Sequence, residues 1–151
     1  MEQLVVFTLD HQDYALPLNS VVRVIHAVEI TNLPKAPNII SGIINVKGQI
    51  IPVVDIRKRF GLTPRELNPD DQLIIADTRK RQVALLVDQV NGIQNISSRQ
   101  QIDTKEIMPF AEYIMGVVKI ENELILIYDL EQFLNLNEEL ELERALSKRS
   151  K

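Results

Sequence analysis

What this 151-residue sequence lacks excludes several kinds of chemistry. It has no cysteine, which removes disulfides, thiol nucleophiles, zinc-thiolate sites and iron-sulfur clusters together. Its 17 lysine and arginine residues are fewer than its 21 acidic residues, and a net charge of -4 gives no cationic surface for nucleic acid or acidic lipid. The two histidines, His11 and His26, stand in no recognisable metal or nucleophile spacing. An enzyme is therefore unsupported by the residue types present.

Long apolar runs are also missing from the sequence. No window approaches the roughly 20 apolar residues that cross a bilayer as a helix. The N-terminal segment MEQLVVFTLDHQDY lacks the basic start and long apolar centre of a signal peptide. We therefore expect a cytoplasmic protein whose first strand lies in this segment.

The sequence does contain an internal duplication. The segment QLVV at residues 3–6 returns as QLII at residues 72–75, which is 69 positions later. The segment GIINVKGQIIPVVDI at residues 42–56 matches GVVKIENELILIYDL at residues 116–130, which is 74 positions later. A repeated pattern indicates a repeated structural unit.

Each copy contains five short apolar runs rich in valine and isoleucine, a pattern typical of a small all-β unit. The runs predict strands near residues 3–9, 14–18, 21–28, 42–46 and 49–55, and again near 72–77, 82–87, 90–96, 114–120 and 123–129. Closing five strands into a barrel removes the open edges of the sheet, so we predict two small barrels. A unit of about 70 residues rarely builds a sufficient core alone, so we expect the barrels to pack together.

The segment at residues 42–56 raises the question of a phosphate-binding loop. Lys47 precedes Gly48 here and no hydroxyl residue follows, which rules out the pattern G-x-x-x-x-G-K-[ST]. The pattern instead predicts a β-hairpin whose turn lies at these two residues. In the second copy Asn122 stands in place of Gly48, and asparagine is the next residue most tolerant of positive φ.

Asp55 and Asp129 occupy matching positions, each between an apolar run and a short helical pattern, IRKRF or LEQFL. An aspartate at such a position is typically a helix N-cap that accepts hydrogen bonds from free backbone amides. The alternative is that these carboxylates and His26 form a small-ligand-binding or hydrolytic site in the cleft between the barrels.

The C-terminal segment NEELELERALSKRSK predicts a helix, because acidic residues near its start and basic residues near its end suit the helix dipole. We expect Leu136, Leu140 and Leu146 to dock this helix on the barrels, with a frayed tail beyond it. A partner-binding helix is the alternative.

Three segments resemble the CheW-type chemotaxis coupling proteins: LVVFTLDHQDYALPLNSVVRVI, PNIISGIINVKGQIIPVVDIRKRFGL and VALLVDQVNGI. The resemblance covers nearly the whole chain, and its most specific part is the run G-x-x-N-x-[RK]-G-x-[IV]-[IV]-P-[IV]-[IV]-D-[LI]-R. It implies one CheW-like domain, residues 1–151, made of two SH3-like five-stranded barrels related by duplication, with short helices and a C-terminal helix. Subdomain one would span about 14–64 with part of the termini and subdomain two about 72–136, and the two could exchange strands.

The resemblance implies a non-catalytic adaptor that needs no cofactor. Proteins of this family bind the regulatory domain of the histidine kinase CheA and the cytoplasmic tip of methyl-accepting chemoreceptors, which implies recruitment to receptor arrays. By position, the coupling residues would be Val21, Arg23, Gly42, Lys47 and Gly48 in the first barrel and Ala84, Val90 and Ile93 in the second. We expect Val24, on a matched segment, to belong to the core.

Two of these residues depart from the family's usual pattern. Lys47 stands where many members have arginine, so the charge is kept but the planar, bidentate fork is lost. Arg23 stands where the family often has glutamate, which reverses the sign of the charge. Because a reversed charge changes which partners are accepted, a dedicated adaptor of a nonstandard chemosensory pathway is the alternative function.

Overall fold

The computed structural model describes residues 2–97, 101–102 and 114–149, in which eleven strands and two α-helices form. The strands are β1 (Glu2–Leu9), β2 (Gln12–Pro17), β3 (Val21–His26), β4 (Ile40–Val46), β5 (Gln49–Val54), β6 (Gln72–Asp77), β7 (Gln82–Val87), β8 (Gln89–Ile96), β9 (Gln101–Ile102), β10 (Ile114–Ile120) and β11 (Glu123–Tyr128). The helices are α1 (Ile56–Phe60) and α2 (Leu136–Arg149). Within these ranges, neither helix is long and apolar enough to cross a membrane.

The strands form two sheets, and each sheet draws strands from both copies of the duplication. Barrel 1, the sheet β3-β6-β7-β5-β4, combines three strands of the first copy with the hairpin β6–β7 of the second. Barrel 2, the sheet β8-β1-β2-β11-β10-β9, combines the opposite parts. The parallel pairs β5–β7 and β2–β11 join each exchanged hairpin to its new sheet. The predicted fold class, two small duplicated β units with short helices and a C-terminal helix, is confirmed.

The register of the strand pairs reproduces the duplication residue by residue. The pairs β3–β6 and β1–β8 each contain a bulge, at Val22 and at Asn91, which lie 69 positions apart. The pairs β4–β5 and β10–β11 contain bulges at Ser41 and Met115, which lie 74 positions apart. A bulge changes the direction of a side chain. All four bulged residues are exposed, so the two barrels present side chains at matching places.

Both faces of the exchanged hairpins are buried, which explains why their sequences are continuous apolar runs. In β6, Ile74 packs in the core between the barrels, whereas Leu73 and Ile75 pack inside barrel 1. In β1, Phe7 packs between the barrels and Val6 inside barrel 2. Each barrel therefore has a small interior core, and the two share a larger core between them.

The shared core contains an aromatic cluster drawn from barrel 2, from α1 and from the segment before α2. Its members are Phe7, Tyr14, Phe60, Tyr128 and Phe133. Phe60 of α1 stacks on Tyr128 with ring centroids 4.0 Å apart. Burial raises the pKa of Tyr14 and of Tyr128 above the ordinary tyrosine value, so both hydroxyls stay protonated at neutral pH.

The two predicted hairpin turns are confirmed. Lys47 and Gly48 have φ angles of 51° and 85°, and Glu121 and Asn122 have φ angles of 50° and 69°. The side-chain oxygen of Asn45 accepts a hydrogen bond from the Gly48 amide at 2.9 Å. Two-residue turns with positive φ match the twist of a β-hairpin, so both turns have the same geometry with different residues.

The predicted N-caps are also confirmed. Asp55 Oδ1 accepts a hydrogen bond from the amide of Lys58 at 3.2 Å, at the start of α1. Asp129 Oδ1 accepts one from the amide of Glu131 at 3.0 Å, at the start of a 3-10 turn. Both carboxylates therefore stabilise local structure.

Helix α2 docks through a face that includes only Leu146 of the three leucines predicted to dock. Leu142 and Ala145 are buried in the shared core and Leu146 packs partly against it. Leu136 and Leu140, expected to dock, are 69% and 47% exposed, so that prediction is wrong for both. Residues 142, 145 and 146 lie on one helical face, and the two exposed leucines lie outside it.

Ion pairs accompany the apolar contacts of the docked face of α2. Arg59 of α1 lies 2.6 Å from Glu138, and Arg81, just before β7, pairs with Glu139 at 3.2 Å and with Glu143. These arginine side chains are each 13% exposed, so the pairs are screened less than surface pairs. They hold the glutamate-bearing side of the helix against both α1 and the β6–β7 turn.

Barrel 1 is closed by a backbone pair outside the named strands. Thr31 and Ile43 exchange two backbone hydrogen bonds, of 2.9 and 2.8 Å. In barrel 2, Ile102 of β9 is the antiparallel partner of Val117 of β10. Gly42 lies beside this closure with a φ of +153°, and a Cβ atom there would meet the Thr31 carbonyl oxygen at 2.3 Å.

We expect Gly42→Ala to destabilise the protein, because the new methyl group would push Thr31 away from β4. The expected loss in the free energy of unfolding is about 1–3 kcal/mol, measured by urea unfolding. Gly116 is the matched control, since it occupies the equivalent position of barrel 2 and a Cβ there would meet Ile127 at an ordinary 3.5 Å. Gly116→Ala should change stability by less than about 0.5 kcal/mol. Equal losses for the two variants would contradict the assignment.

Candidate functional site

The eight residues assigned by resemblance fall into three groups by exposure. The exposed group is Arg23, Lys47, Gly48 and Ile93, the half-buried group is Val21 and Val90, and the buried group is Gly42 and Ala84. The exposed residues can contact a partner directly. The buried residues can act only by changing the packing beneath the surface.

The edge strands β3 and β8 carry matching parts of this site. Val21 and Val90 lie 69 positions apart, and both pack partly against the shared core. Val24 also packs against that core, as expected, whereas its counterpart Ile93 is 59% exposed. Duplication has therefore given barrel 2 an exposed apolar side chain where barrel 1 has a half-buried one.

The two cations of the site are Arg23 on β3 and Lys47 on the β4–β5 turn, both exposed. Neither forms an ion pair with any of the residues that the structure describes. Hydration of these charges is retained, so each is available to a carboxylate on another molecule.

The buried residues of the set have structural tasks. Gly42 allows the close approach of Thr31 that closes barrel 1. Ala84, expected in the second barrel, lies instead in β7 inside barrel 1, because the β6–β7 hairpin is exchanged. Its counterpart Ala15 lies inside barrel 2. A small side chain is present at both places. The role of Ala84 as a coupling residue stays a prediction, and because Ala84 is buried it could act only by changing the packing of its neighbours.

The residues of the hydrolytic alternative are not brought together. Asp55 and Asp129 serve as N-caps, and His26 is exposed on β3. Asp55, Arg57 and Arg65 line a cavity of about 190 Å³. His26 and Asp129 do not line this cavity. In the described part of the chain, no group of three histidine or acidic side chains is placed to hold a metal ion.

An ion-pair network that the sequence does not reveal joins the two barrels. Arg57 of α1 contacts Asp10 in the β1–β2 turn at 2.9 Å and Asp88 at 2.7 Å. Asp88 connects β7 of barrel 1 to β8 of barrel 2, and its other oxygen accepts the Asp10 amide at 2.9 Å. No local spacing marks this set, because Asp88 lies 31 positions from Arg57 and 78 from Asp10.

Arg65 extends the network to the long connection between the two copies. Its guanidinium donates to both oxygens of Asp71, at 3.0 and 2.6 Å, and also to Asp88. The bidentate geometry helps to fix the position of the connection. The network therefore fixes the positions of the connection and of both barrels relative to one another.

The network perturbs the protonation of its members. Burial by itself raises the pKa of Asp88, but the Asp10 amide and the guanidinium groups of Arg57 and Arg65 outweigh burial, and the net pKa is lowered. The pKa of Arg57 is raised, since its bonds to Asp88 and Asp10 outweigh the opposing effect of burial. Asp88 and Arg57 are therefore both charged at neutral pH.

Comparison with known proteins places this arrangement among chemotaxis proteins. Residues 3–138 match the family described as the CheW-like domain. The chemotaxis protein CheW of Thermotoga maritima is 32% identical over 128 residues, covering 85% of this chain and 84% of that protein. The chemotaxis protein CheW of Rhizobium meliloti is 30% identical over 131 residues, with 85% and 84% covered.

A more distant relative and a solved structure extend the comparison. Protein FrzA of Myxococcus xanthus is 25% identical over 111 residues, covering 69% of this chain and 66% of that protein. The crystal structure of the scaffolding protein TtCheW from Thermoanaerobacter tengcongensis matches with a TM-score of 0.82 at 31% identity, covering 91% of this chain and 94% of that one. Both barrels are therefore included in the match.

We expect Asp88→Asn to lower the free energy of unfolding by about 1–3 kcal/mol at neutral pH, because a charge-assisted network loses its central anion. The stabilisation by Asp88 is complete above the unfolded aspartate pKa of about 3.9 and is lost as the pH falls through its lowered folded pKa. The difference between wild type and variant should therefore be constant from about pH 5 to 7 and shrink below about pH 4. Thermal unfolding across this range is the measurement.

Asp70→Asn is the control for the Asp88 variant, since Asp70 lies in the same connection and is exposed. It should leave the unfolding midpoint nearly unchanged. A difference in stability between wild type and Asp88→Asn that stays unchanged at low pH would show that Asp88 does not act through its charge.

Proposed function

The chain belongs to the CheW-like domain family, and from this premise we propose that it is a non-catalytic adaptor. It couples the cytoplasmic tips of chemoreceptors to the regulatory domain of a CheA-type histidine kinase. The proposal also places the protein in the cytoplasm, recruited to receptor arrays, because both partners present these surfaces there.

The observation that carries the proposal is the distribution of exposed residues. The matched edge strands and hairpin turns of the two barrels present Arg23, Lys47 and Ile93 to solvent. The carboxylates that a hydrolase would need, Asp55 and Asp129, are occupied as helix caps. An adaptor works through outward surfaces of this kind, whereas an enzyme needs reactive groups gathered in one place.

A second candidate is a dedicated adaptor of a nonstandard chemosensory pathway. This candidate is favoured by Arg23, which is exposed on the edge strand β3. Arg23 forms no ion pair with the residues that the structure describes. A kinase that lacks a complementary carboxylate would bind this surface poorly. Affinity capture with crosslinking in the native cell separates the two candidates by identifying the kinase recovered.

We expect Lys47→Glu to weaken binding to the kinase regulatory domain or to a receptor cytoplasmic fragment by at least about tenfold, which corresponds to about 1.4 kcal/mol. The reason is that a negative charge would face the surface that the lysine contacts. Isothermal titration with each purified partner is the measurement. The thermal unfolding midpoint should stay within about 1 °C, because the side chain is exposed.

Lys80→Glu is the matched control, since Lys80 is exposed on the β6–β7 turn of the same barrel. It makes the same change in net charge at another hairpin turn. Unchanged affinity of the Lys47 variant for both partners would refute the coupling role of Lys47. An equal loss of affinity in the Lys47→Glu and Lys80→Glu variants would show that the effect comes from net charge and not from the position of Lys47.

A further inference from the structure

Helix α2 carries a second apolar stripe that the body of the molecule leaves uncovered. Leu136 and Leu140 are 69% and 47% exposed, and their four-residue spacing places them on one side of the helix. With a step of about 100° per residue, this stripe lies roughly 150° around the helix from the docked residues Leu142, Ala145 and Leu146. The helix therefore has apolar side chains on two nearly opposite sides, of which one docks and the other faces solvent.

Exposed charges continue the solvent-facing stripe toward the C-terminal end of α2. Arg144 and Lys148 follow Leu140 at the same four-residue spacing, and Glu141 lies beside them. None of these three charges forms an ion pair with a residue in the described ranges. We call Leu136, Leu140, Glu141, Arg144 and Lys148 the outer face of α2. It is apolar at its start and mostly cationic at its end.

An antiparallel copy of the same helix complements the outer face. When Leu140 crosses Leu140 of a second copy, Leu136, four positions before the crossing, lies level with Arg144, four positions after it on the other helix. The aliphatic stem of that arginine can cover the leucine. Glu141 then lies within about 8 Å, along the helix axis, of Arg144 in the second copy, a distance that two extended side chains span. A parallel copy would instead bring Glu141 to Glu141 and Arg144 to Arg144, and like charges repel.

We propose that α2 of one molecule binds α2 of a second copy of this chain through the outer face, in antiparallel orientation. The contact has two-fold symmetry, so the same residues act on both sides and the assembly closes as a dimer. Because the outer face points away from the docked side, the two molecules lie on opposite sides of the helix pair.

The helix contact leaves the surfaces for the kinase and the receptor free. It uses α2 alone, whereas Arg23 lies on β3, Lys47 on the β4–β5 turn and Ile93 on β8. On the proposed function, which this consequence rests on, the dimer is a bivalent adaptor that joins two receptor–kinase assemblies.

The size of the contact makes it weak. The 14 residues of α2 span about 21 Å, and one helix face buries less than the roughly 1,200 Å² at which standard interfaces begin. The sedimentation coefficient of the purified chain should therefore rise only at high concentration, up to about 1 mM. Leu140→Gln should abolish the rise, because it removes the apolar side chain at the crossing without changing net charge. Leu67→Gln is the matched control, since Leu67 is 46% exposed in the connection between the two copies, and it should associate as wild type does.

The absence of cysteine makes the orientation of the helices testable by disulfide formation. Leu140→Cys places the only thiol of each molecule at the crossing, so mild oxidation should give a covalent dimer. Leu136→Cys alone should not, because the two substituted positions would be about 12 Å apart along the axis, beyond the roughly 7 Å that a disulfide allows between Cα atoms. Arg144→Cys alone should fail for the same reason. A mixture of Leu136→Cys and Arg144→Cys should give the dimer that neither gives by itself.

Leu67→Cys measures disulfide formation by random collision at a side chain as exposed as Leu140. The proposal is overturned if Leu140→Cys forms no more dimer than Leu67→Cys, or if Leu140→Gln associates as wild type does. Dimer formation by Leu136→Cys that equals that of Leu140→Cys would indicate parallel helices and overturn it too. The substituted side chains are exposed, so each variant should keep the wild-type unfolding midpoint within a few degrees.

The helix contact and the adaptor function fail independently. Kinase and receptor are absent from the sedimentation and oxidation experiments, so a negative result there leaves the adaptor function untouched. Absence of binding in the titrations with kinase and receptor would remove the bivalent role and leave the helix contact standing.

Discussion

The fold depends on the reciprocal exchange of two β-hairpins. Each copy of the duplication donates its first hairpin to the sheet of the other, through the parallel pairs β5–β7 and β2–β11. Residues of both exchanged hairpins fill the shared core as well as the interior of the barrel they enter. Neither copy contains a complete barrel, so the two barrels form one cooperative unit. The exchange also explains why this 151-residue chain has a large shared core in addition to the small interior core of each barrel.

This arrangement leaves the edge strands and hairpin turns free for contact. Residues of the edge strands β3 and β8 and of the turns at Lys47 and Glu121 face solvent at positions that the duplication makes equivalent, while Val21 and Val90 of the same strands pack partly against the shared core. The ion-pair network around Arg57 and Asp88 fixes one barrel relative to the other. The protein therefore has a rigid interior, while its outer residues are free to diverge in charge. Lys47 on one barrel and Glu121 at the matching turn position of the other are one result of that divergence.

Features that depend on a few neighbouring residues could be predicted from the sequence. The turn at Lys47 and Gly48 and the cap at Asp55 follow from local backbone geometry, which a short pattern specifies. The hairpin exchange could not be assigned, because two similar copies offer each hairpin two almost equal sets of pairing strands. The exchange is also the reason why Ala84 was expected in the wrong barrel.

Features that depend on distant residues were missed. The pair Arg57–Asp88 spans 31 positions, and nothing in either segment signals the other. The docking face of α2 was missed because leucines lie on more than one side of that helix, and the residues that the docked side contacts, Arg59 and Arg81 among them, are distant in the sequence. Exposure of the candidate site residues likewise follows from the assembled barrels rather than from their sequence.

The hairpin exchange has a consequence for synthesis on the ribosome. Gln12 of β2 bonds to Leu124 of β11, 112 positions later in the chain. At about 5–20 residues per second, the ribosome needs roughly 6 to 22 seconds to add those positions. During that interval the apolar strands β1 and β2 have emerged without the strand that completes their sheet. Because these strands lack their final partner for that interval, it is the stage of synthesis at which their apolar residues are most open to non-native contacts.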